Sequence, residues 1–197
     1  LSRPTVAEIN LSAIKRNLKK LKSLSKDSLF YPVVKANAYG LGFKPVVKEI
    51  ESLIDGFSVA TSEEALEVRK ISKKNILCLE GPYDQKEFNL LLKNKIDLVI
   101  HSERQINFVK KIETFPKEIK VWIKLDTGMN RLGFKEEEVL DIFKIFQTKT
   151  KKIVLMSHFS SAAGSMSSKT NSKKQIDKFN RIEKKLKKYG ENFFSSL

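Results

Sequence analysis

Residues Gly56–Ile71, GFSVATSEEALEVRKI, join two patterns whose order decides the fold. GFSVAT is a short apolar run with the length of a buried strand. TSEEALEVRKI then changes at once to helical spacing, with Ala65, Val68 and Ile71 on one stripe. Thr61 and Glu64 have the spacing of a capping box, which predicts a helix starting just after Thr61. The plan recurs in DLVIHSERQINFVKKI, with Ser102 as cap and Ile106, Val109 and Ile112 as the apolar face. KEEEVLDIFKIFQ predicts a third helix, with Val139, Ile142, Phe143 and Phe146 on one side and glutamates at its N-terminus. LSAIKRNLKKLKSL predicts one before the first strand, with Ile14, Leu18 and Leu21 in register. The remaining strand-like runs are YPVVKAN, NILCLEG, KVWIKLD and KIVLMSHF, and NFFSSL is a further candidate.

Strands apolar on both faces that alternate with helices imply parallel strands covered by helices. Six such strands, with a seventh in NFFSSL, fit either an open doubly wound sheet or a (β/α)8 barrel. Barrels of that kind take about 250 residues. At 197 residues, the barrel reading implies a chain that stops after six to seven strands. The polar stretch SSAAGSMSSKTNSKKQ, which follows a strand, reads as a mobile loop.

Composition narrows the function classes. A hydrophobic share of 41% fits a soluble globular protein, and no apolar run approaches a membrane span or a signal peptide, so the expected compartment is the cytoplasm. The single cysteine, Cys78, sits in an apolar run and reads as a small buried hydrophobe. The net charge of +15 raises the question of nucleic acid. The lysines recur as short pairs along the whole chain, at positions a helix turns to water, so a solvated surface accounts for them and no nucleic-acid or membrane partner is expected.

Three strand ends carry reactive groups. In YPVVKANAYGLG, strand alternation places Val33, Lys35 and Asn37 on one face, with Lys35 near the C-terminal end of the strand, the catalytic end of a barrel. A desolvated lysine there is a nucleophile toward an aldehyde; a lysine paired with a carboxylate, or snorkelling outward, is the alternative, and position does not choose between them. KLDTGMNRLGF projects Arg131 just beyond the turn Asp126–Thr127–Gly128, where it can hold a carboxylate or phenolate or serve as a loop clamp. MSHFSSA ends a strand on His158, a structural or a catalytic histidine.

PVVKANAYGLG closely resembles the cofactor-attachment motif of the alanine racemase family, and KLDTGMNRLGF resembles its second hallmark. RPTVAEINLSAIKRN, FSVATSEEALEVRK, and MSHFSSA with Gln175 and Phe179 extend the resemblance along the whole chain. The resemblance implies the N-terminal pyridoxal 5'-phosphate-binding barrel domain over residues 1–197. It also implies a separate C-terminal β domain not found here, a homodimer, and interconversion of L- and D-alanine for peptidoglycan. It makes Lys35 the Schiff-base lysine and one of two bases. Tyr39 becomes a contact to the cofactor phosphate, and Arg131 the partner of the cofactor phenolic oxygen and of the substrate carboxylate. His158 becomes a neighbour of the cofactor ring, with Val33 and Leu79 as weaker packing candidates. Lys124 matches a lysine that some members carry as a carbamate; no metal is implied. Two positions depart from the family pattern: Leu41 stands in place of a histidine and Ala163 in place of an aspartate. Family members are far longer, and the tyrosine that serves as the second base has no counterpart in these 197 residues. The expectation is therefore that this polypeptide alone binds the cofactor poorly and does not racemise alanine. A non-catalytic cofactor-binding barrel, and a related racemase or decarboxylase of another amino acid, are the alternatives.

Overall fold

The computed structural model describes residues 4–25, 27–162, 166–190 and 193–197, with the side chains of 166–168 excepted. The chain divides into two compact units, Leu1–Leu77 and Cys78–Leu197, the division falling inside one strand.

In the first unit, helix α1 (Leu11–Leu24) begins where the Asn10 side chain accepts the Ala13 N–H at 2.9 Å. Leu18 is buried, but Leu21, expected on the same stripe, is 53% exposed. Helix α1 packs on α3 (Phe43–Ile50), which buries Val46, Val47 and Ile50. Strand β1 (Gly56–Val59) is buried throughout and neighbours β2 (Asn75–Cys78). Gly56 is required: a Cβ there would lie 2.4 Å from the Tyr31 ring and 2.8 Å from the Asn75 carbonyl. Between the strands runs α4 (Ser62–Ile71), with the expected capping box: Glu64 N–H donates to Thr61 Oγ1, and Glu64 Oε2 accepts the Thr61 N–H.

YPVVKAN does not form the strand expected of it. Its extended part pairs with β1 through a single parallel bridge, Val33 to Ser58, where Val34 N–H donates to the Ser58 carbonyl and Ser58 N–H to that of Pro32. From Lys35 the chain coils into a five-residue turn, α2 (Lys35–Tyr39), in which Ala36, Asn37, Ala38 and Tyr39 all have φ between 50° and 55°. The turn is left-handed, so the face shared by Val33, Lys35 and Asn37 does not exist.

The second unit repeats strand and helix: α5 (Gln85–Lys93), β3 (Asp97–Ile100), α6 (Glu103–Lys110), β4 (Val121–Lys124), α7 (Glu136–Gln147), β5 (Ile153–Met156), α8 (Met166–Lys187) and β6 (Phe193–Ser196). Strands β3 to β6 are parallel and neighbour one another in chain order, with Leu98 opposite Val121, Val121 opposite Ile153 and Ile153 opposite Phe193. Right-handed crossovers between consecutive parallel strands put every connecting helix on the same side. No reversal of order occurs, so a doubly wound arrangement is excluded for this unit. Helices α5, α6 and α7 bury Phe88, Val109 and Phe146, and Phe88, Phe115 and Phe146 form a chain of rings with centroids 6.1 Å apart. NFFSSL supplies β6, as expected, and Cys78 is fully buried, its thiol pushed up to about 12 by desolvation.

The stretch read as a loop is helical from Met166 onward, because Gln175, Phe179, Ile182 and Leu186 form a buried stripe at helical spacing that carries the polar first turns with it. Ala163 lies outside the described residues.

Candidate active site

Lys35 stands where the extended segment passes into the left-handed turn, and it is partly buried. Among the described residues it forms no ion pair and no side-chain hydrogen bond, which removes the salt-bridge alternative. A left-handed conformation costs a non-glycine residue roughly 1–2 kcal/mol, so four in succession need outside support. It comes from a helix cap. Glu64 Oε1 accepts the Ala36 N–H at 2.6 Å while Glu64 Oε2 accepts the Ala60 N–H at 2.8 Å. Asn37, a residue that tolerates this region, closes the other end: its side-chain oxygen accepts the Phe43 N–H at 2.9 Å and its carbonyl accepts the Gly42 N–H at 2.9 Å. Tyr39 is 64% exposed at the end of the turn, and Val33 is 39% exposed. A cleft of about 270 Å³ in this unit has an apolar floor of Val34, Val59 and Val68 under Glu63, Glu64 and Glu67; Lys35 and Tyr39 do not line it, and its acidic rim is unsuited to a phosphorylated ligand.

In the second unit, the buried lysine is Lys124, at the end of β4 and only 7% exposed. Burial pushes its ammonium below the ordinary lysine range, the Arg131 charge adds to the effect, and Asp126 opposes it. It has no ion-pair partner among the described residues. Arg131 itself is exposed and unpaired among the described residues, on a loop held at both ends. Asp126 Oδ1 accepts the N–H groups of Gly128 and Asn130, and Phe134 N–H donates to the Lys124 carbonyl while Asp126 N–H donates to that of Phe134. Gly133, at φ 124°, sits where a Cβ would come within 2.8 Å of the Asp126 nitrogen.

His158 follows β5 and is exposed, its backbone carbonyl accepting from Gln175 Nε2 at 3.0 Å. Leu79 is partly buried. Thus Lys124 and Arg131 are electrostatic neighbours, and Lys35 and Tyr39 bound one turn.

His101, directly after β3, is a further histidine at a strand end, as His158 is just beyond β5, and is not among the residues expected from the sequence. Its ring is half-buried, and desolvation, with the charges of Lys124 and Arg104, holds it below the usual histidine range. Its Nε2 lies 2.9 Å from the Glu80 carbonyl, which can only accept, so this nitrogen carries the proton; Gln105 Nε2, at 3.3 Å, is also a donor and adds no bond. A histidine directly after an apolar strand was the available signal.

Residues 9–195 match the family profile described as "Alanine racemase, N-terminal domain". The alanine racemase of Actinobacillus succinogenes is 40% identical over 164 residues, which are 81% of this chain and 46% of that protein. That of Coxiella burnetii is 34% identical over 184 residues, 91% of this chain and 50% of that protein. Among solved structures, the alanine racemase of Acinetobacter baumannii superposes with a TM-score of 0.83 at 30% identity, covering 95% of this chain and 54% of that one. That of Clostridium difficile superposes at 0.84 and 28% identity, covering 100% and 56%. The chain spans about half the length of the relatives it matches. The fold class is therefore α/β, the strand-helix units of a TIM-type (β/α)8 barrel. With the profile running over nearly all of its residues, the chain belongs to the alanine racemase N-terminal domain family.

Proposed function

We propose that the chain serves the interconversion of L- and D-alanine, with pyridoxal 5'-phosphate attached through Lys35. The observation that carries this reading is Lys35 itself: a partly buried amine with no partner among the described residues, held at the mouth of a turn inside the family's attachment motif. The second unit also fits an anionic group, since buried Lys124 and exposed Arg131 are neighbouring basic groups that form no ion pair among the described residues.

When bound, the cofactor supplies an electron sink that makes the α-hydrogen of an amino acid removable. Lys35 would hold the cofactor and move a proton at the substrate α-carbon on one face. The Tyr39 hydroxyl would donate to the phosphate. Arg131 would donate to the phenolic oxygen and orient the substrate carboxylate, and His158 would flank the ring. Lys124, whose charged form burial disfavours, is the amine whose neutral form would add carbon dioxide with release of a proton; the resulting carbamate would accept the hydrogen bonds of Arg131. The reaction needs a second proton carrier on the opposite face. Homodimer assembly, a cytoplasmic location and a role in peptidoglycan supply belong to the same reading.

The test is chemical trapping. The chain is incubated with pyridoxal 5'-phosphate, reduced with borohydride and mapped by peptide mass spectrometry. A reduced adduct is expected on Lys35 and on no other lysine, and it disappears in Lys35→Ala. An adduct spread over the surface lysines, or one that survives Lys35→Ala, would refute the assignment. Racemisation assayed in parallel with L- and D-alanine separates a catalyst from a barrel that only binds.

A further inference from the structure

Gln175, in α8, is 3% exposed and uses every hydrogen-bonding position of its side-chain amide. Its Nε2 donates to the His158 carbonyl at 3.0 Å and to Thr127 Oγ1 at 3.1 Å. Its Oε1 accepts the Ser160 N–H at 3.0 Å and lies 3.1 Å from the Ser160 hydroxyl, which donates to it. A carbonyl at one end and an amide N–H at the other fix which atom is nitrogen. Buried Thr127 and Ser157 continue the path, their hydroxyl oxygens 2.8 Å apart, and Ser157 Oγ donates to the Leu125 carbonyl at 2.8 Å.

The direction of every proton follows. Ser157 spends its only hydrogen on Leu125, so Thr127 must donate to Ser157, which leaves the Thr127 oxygen to accept from Gln175. The chain runs one way: Gln175 to Thr127 to Ser157 to Leu125. Thr127 is the second residue of the turn that carries Arg131, and His158 and Ser160 belong to the loop after β5.

We propose that Gln175 is a positioning residue that sets the Arg131 turn and the His158 loop at a fixed spacing, through a one-way hydrogen-bond chain in which Thr127 is the exchangeable link. The proposal deepens the cofactor reading, because the two groups it spaces are those assigned to the cofactor. A side chain at position 127 that lacks a hydroxyl cannot substitute, since this link must both accept from Gln175 and donate to Ser157.

The experiment is amide hydrogen exchange on the chain and its variants, resolved by segment. Thr127→Val removes both bonds at position 127 and leaves the Gln175 bonds to His158 and Ser160. Exchange over residues 128–131 is expected to rise about tenfold, the change that loss of roughly one net hydrogen bond gives, while residues 158–161 stay as in wild type. Gln175→Met is expected to raise both segments, and Thr127→Ser to restore wild-type protection. If Thr127→Val does not fold, Gln175→Glu, which keeps the acceptors and loses the donors, decides: faster exchange at 128–131 supports the chain, and unchanged exchange overturns it. A uniform rise that includes the β3 and β4 amides, or Thr127→Ser no better than valine, would also overturn it. On the cofactor-loaded chain, the visible dichroism of the cofactor band is expected to shift in Thr127→Val and return in Thr127→Ser. An absent band in wild type would defeat the cofactor reading and leave the exchange result to decide this one.

Discussion

Asp97 opens β3, with 2% of its surface exposed and its carboxyl pushed up to about 6 from the ordinary 3.8. Burial is the chief cause. The Lys120 N–H, 2.8 Å from Oδ1, opposes it, as do the Lys120 and Lys152 charges and the Trp122 indole. Because the folded value lies above the unfolded one, protonation favours the folded chain. The associated stability is complete below about pH 3.8 and is lost as pH rises through about 6. A difference of about 2 units at 1.36 kcal/mol each amounts to about 3 kcal/mol. Asp97→Asn removes the titration. Its amide oxygen can still accept from Lys120, but its NH₂ faces the Lys120 ammonium, 3.8 Å from the present Oδ2, so its absolute stability at one pH is not the useful quantity. The useful one is the difference from wild type as pH changes. Measured by urea unfolding from pH 4 to pH 7.5, the Asn variant should gain about 2 kcal/mol of this relative to wild type, most of it before pH 6.5, the rest having accrued below pH 4. Comparing the two chains cancels the carboxylates with lowered values, Glu136 among them at about 2. A difference that stays flat across the range would refute the reasoning.

Three further outcomes are expected. Gly133→Ala places a Cβ against the Asp126 nitrogen at a φ that L residues rarely adopt, and should cost about 2–4 kcal/mol in denaturant unfolding. Glu64→Ala removes the acceptor shared by Ala36, Ala60 and Thr61; a loss of about 1–3 kcal/mol, with faster exchange of the Ala36 amide, separates it from Thr61→Ala, which spares that amide. Lys124→Met should raise the unfolding midpoint at neutral pH. Its folded value is depressed, so the lysine's destabilising effect is absent above the unfolded value of 10.5 and grows as pH falls through the folded one; the advantage of methionine must therefore shrink toward pH 10.5.

Much of the strand-helix order was legible because it rests on local chemistry. The Thr61–Glu64 pair announced α4, and apolar runs announced the strands of the second unit, since neither signal depends on distant residues. What escaped the sequence depends on distant partners. Nothing in Lys-Ala-Asn-Ala-Tyr beyond Asn37 favours left-handed backbone; the turn is held by a carboxylate 28 residues away that the cap reading had already assigned to another task. The polar start of α8 looked like a loop because Ser, Thr and Asn compete for backbone hydrogen bonds locally, and the buried stripe that overrides them starts at Gln175. Of the two lysines, Lys35 is reachable and Lys124 is enclosed. The two conditions suit different chemistry. An attaching lysine must be reached by a cofactor and later by a substrate, so partial exposure serves it, whereas carbon dioxide adds only to an uncharged amine, whose formation is favoured by enclosure beside a second cation. Lys35 was reached from its place after an extended segment and Lys124 through the family resemblance; their depth, set by packing from elsewhere in the chain, is what separates the roles proposed for them.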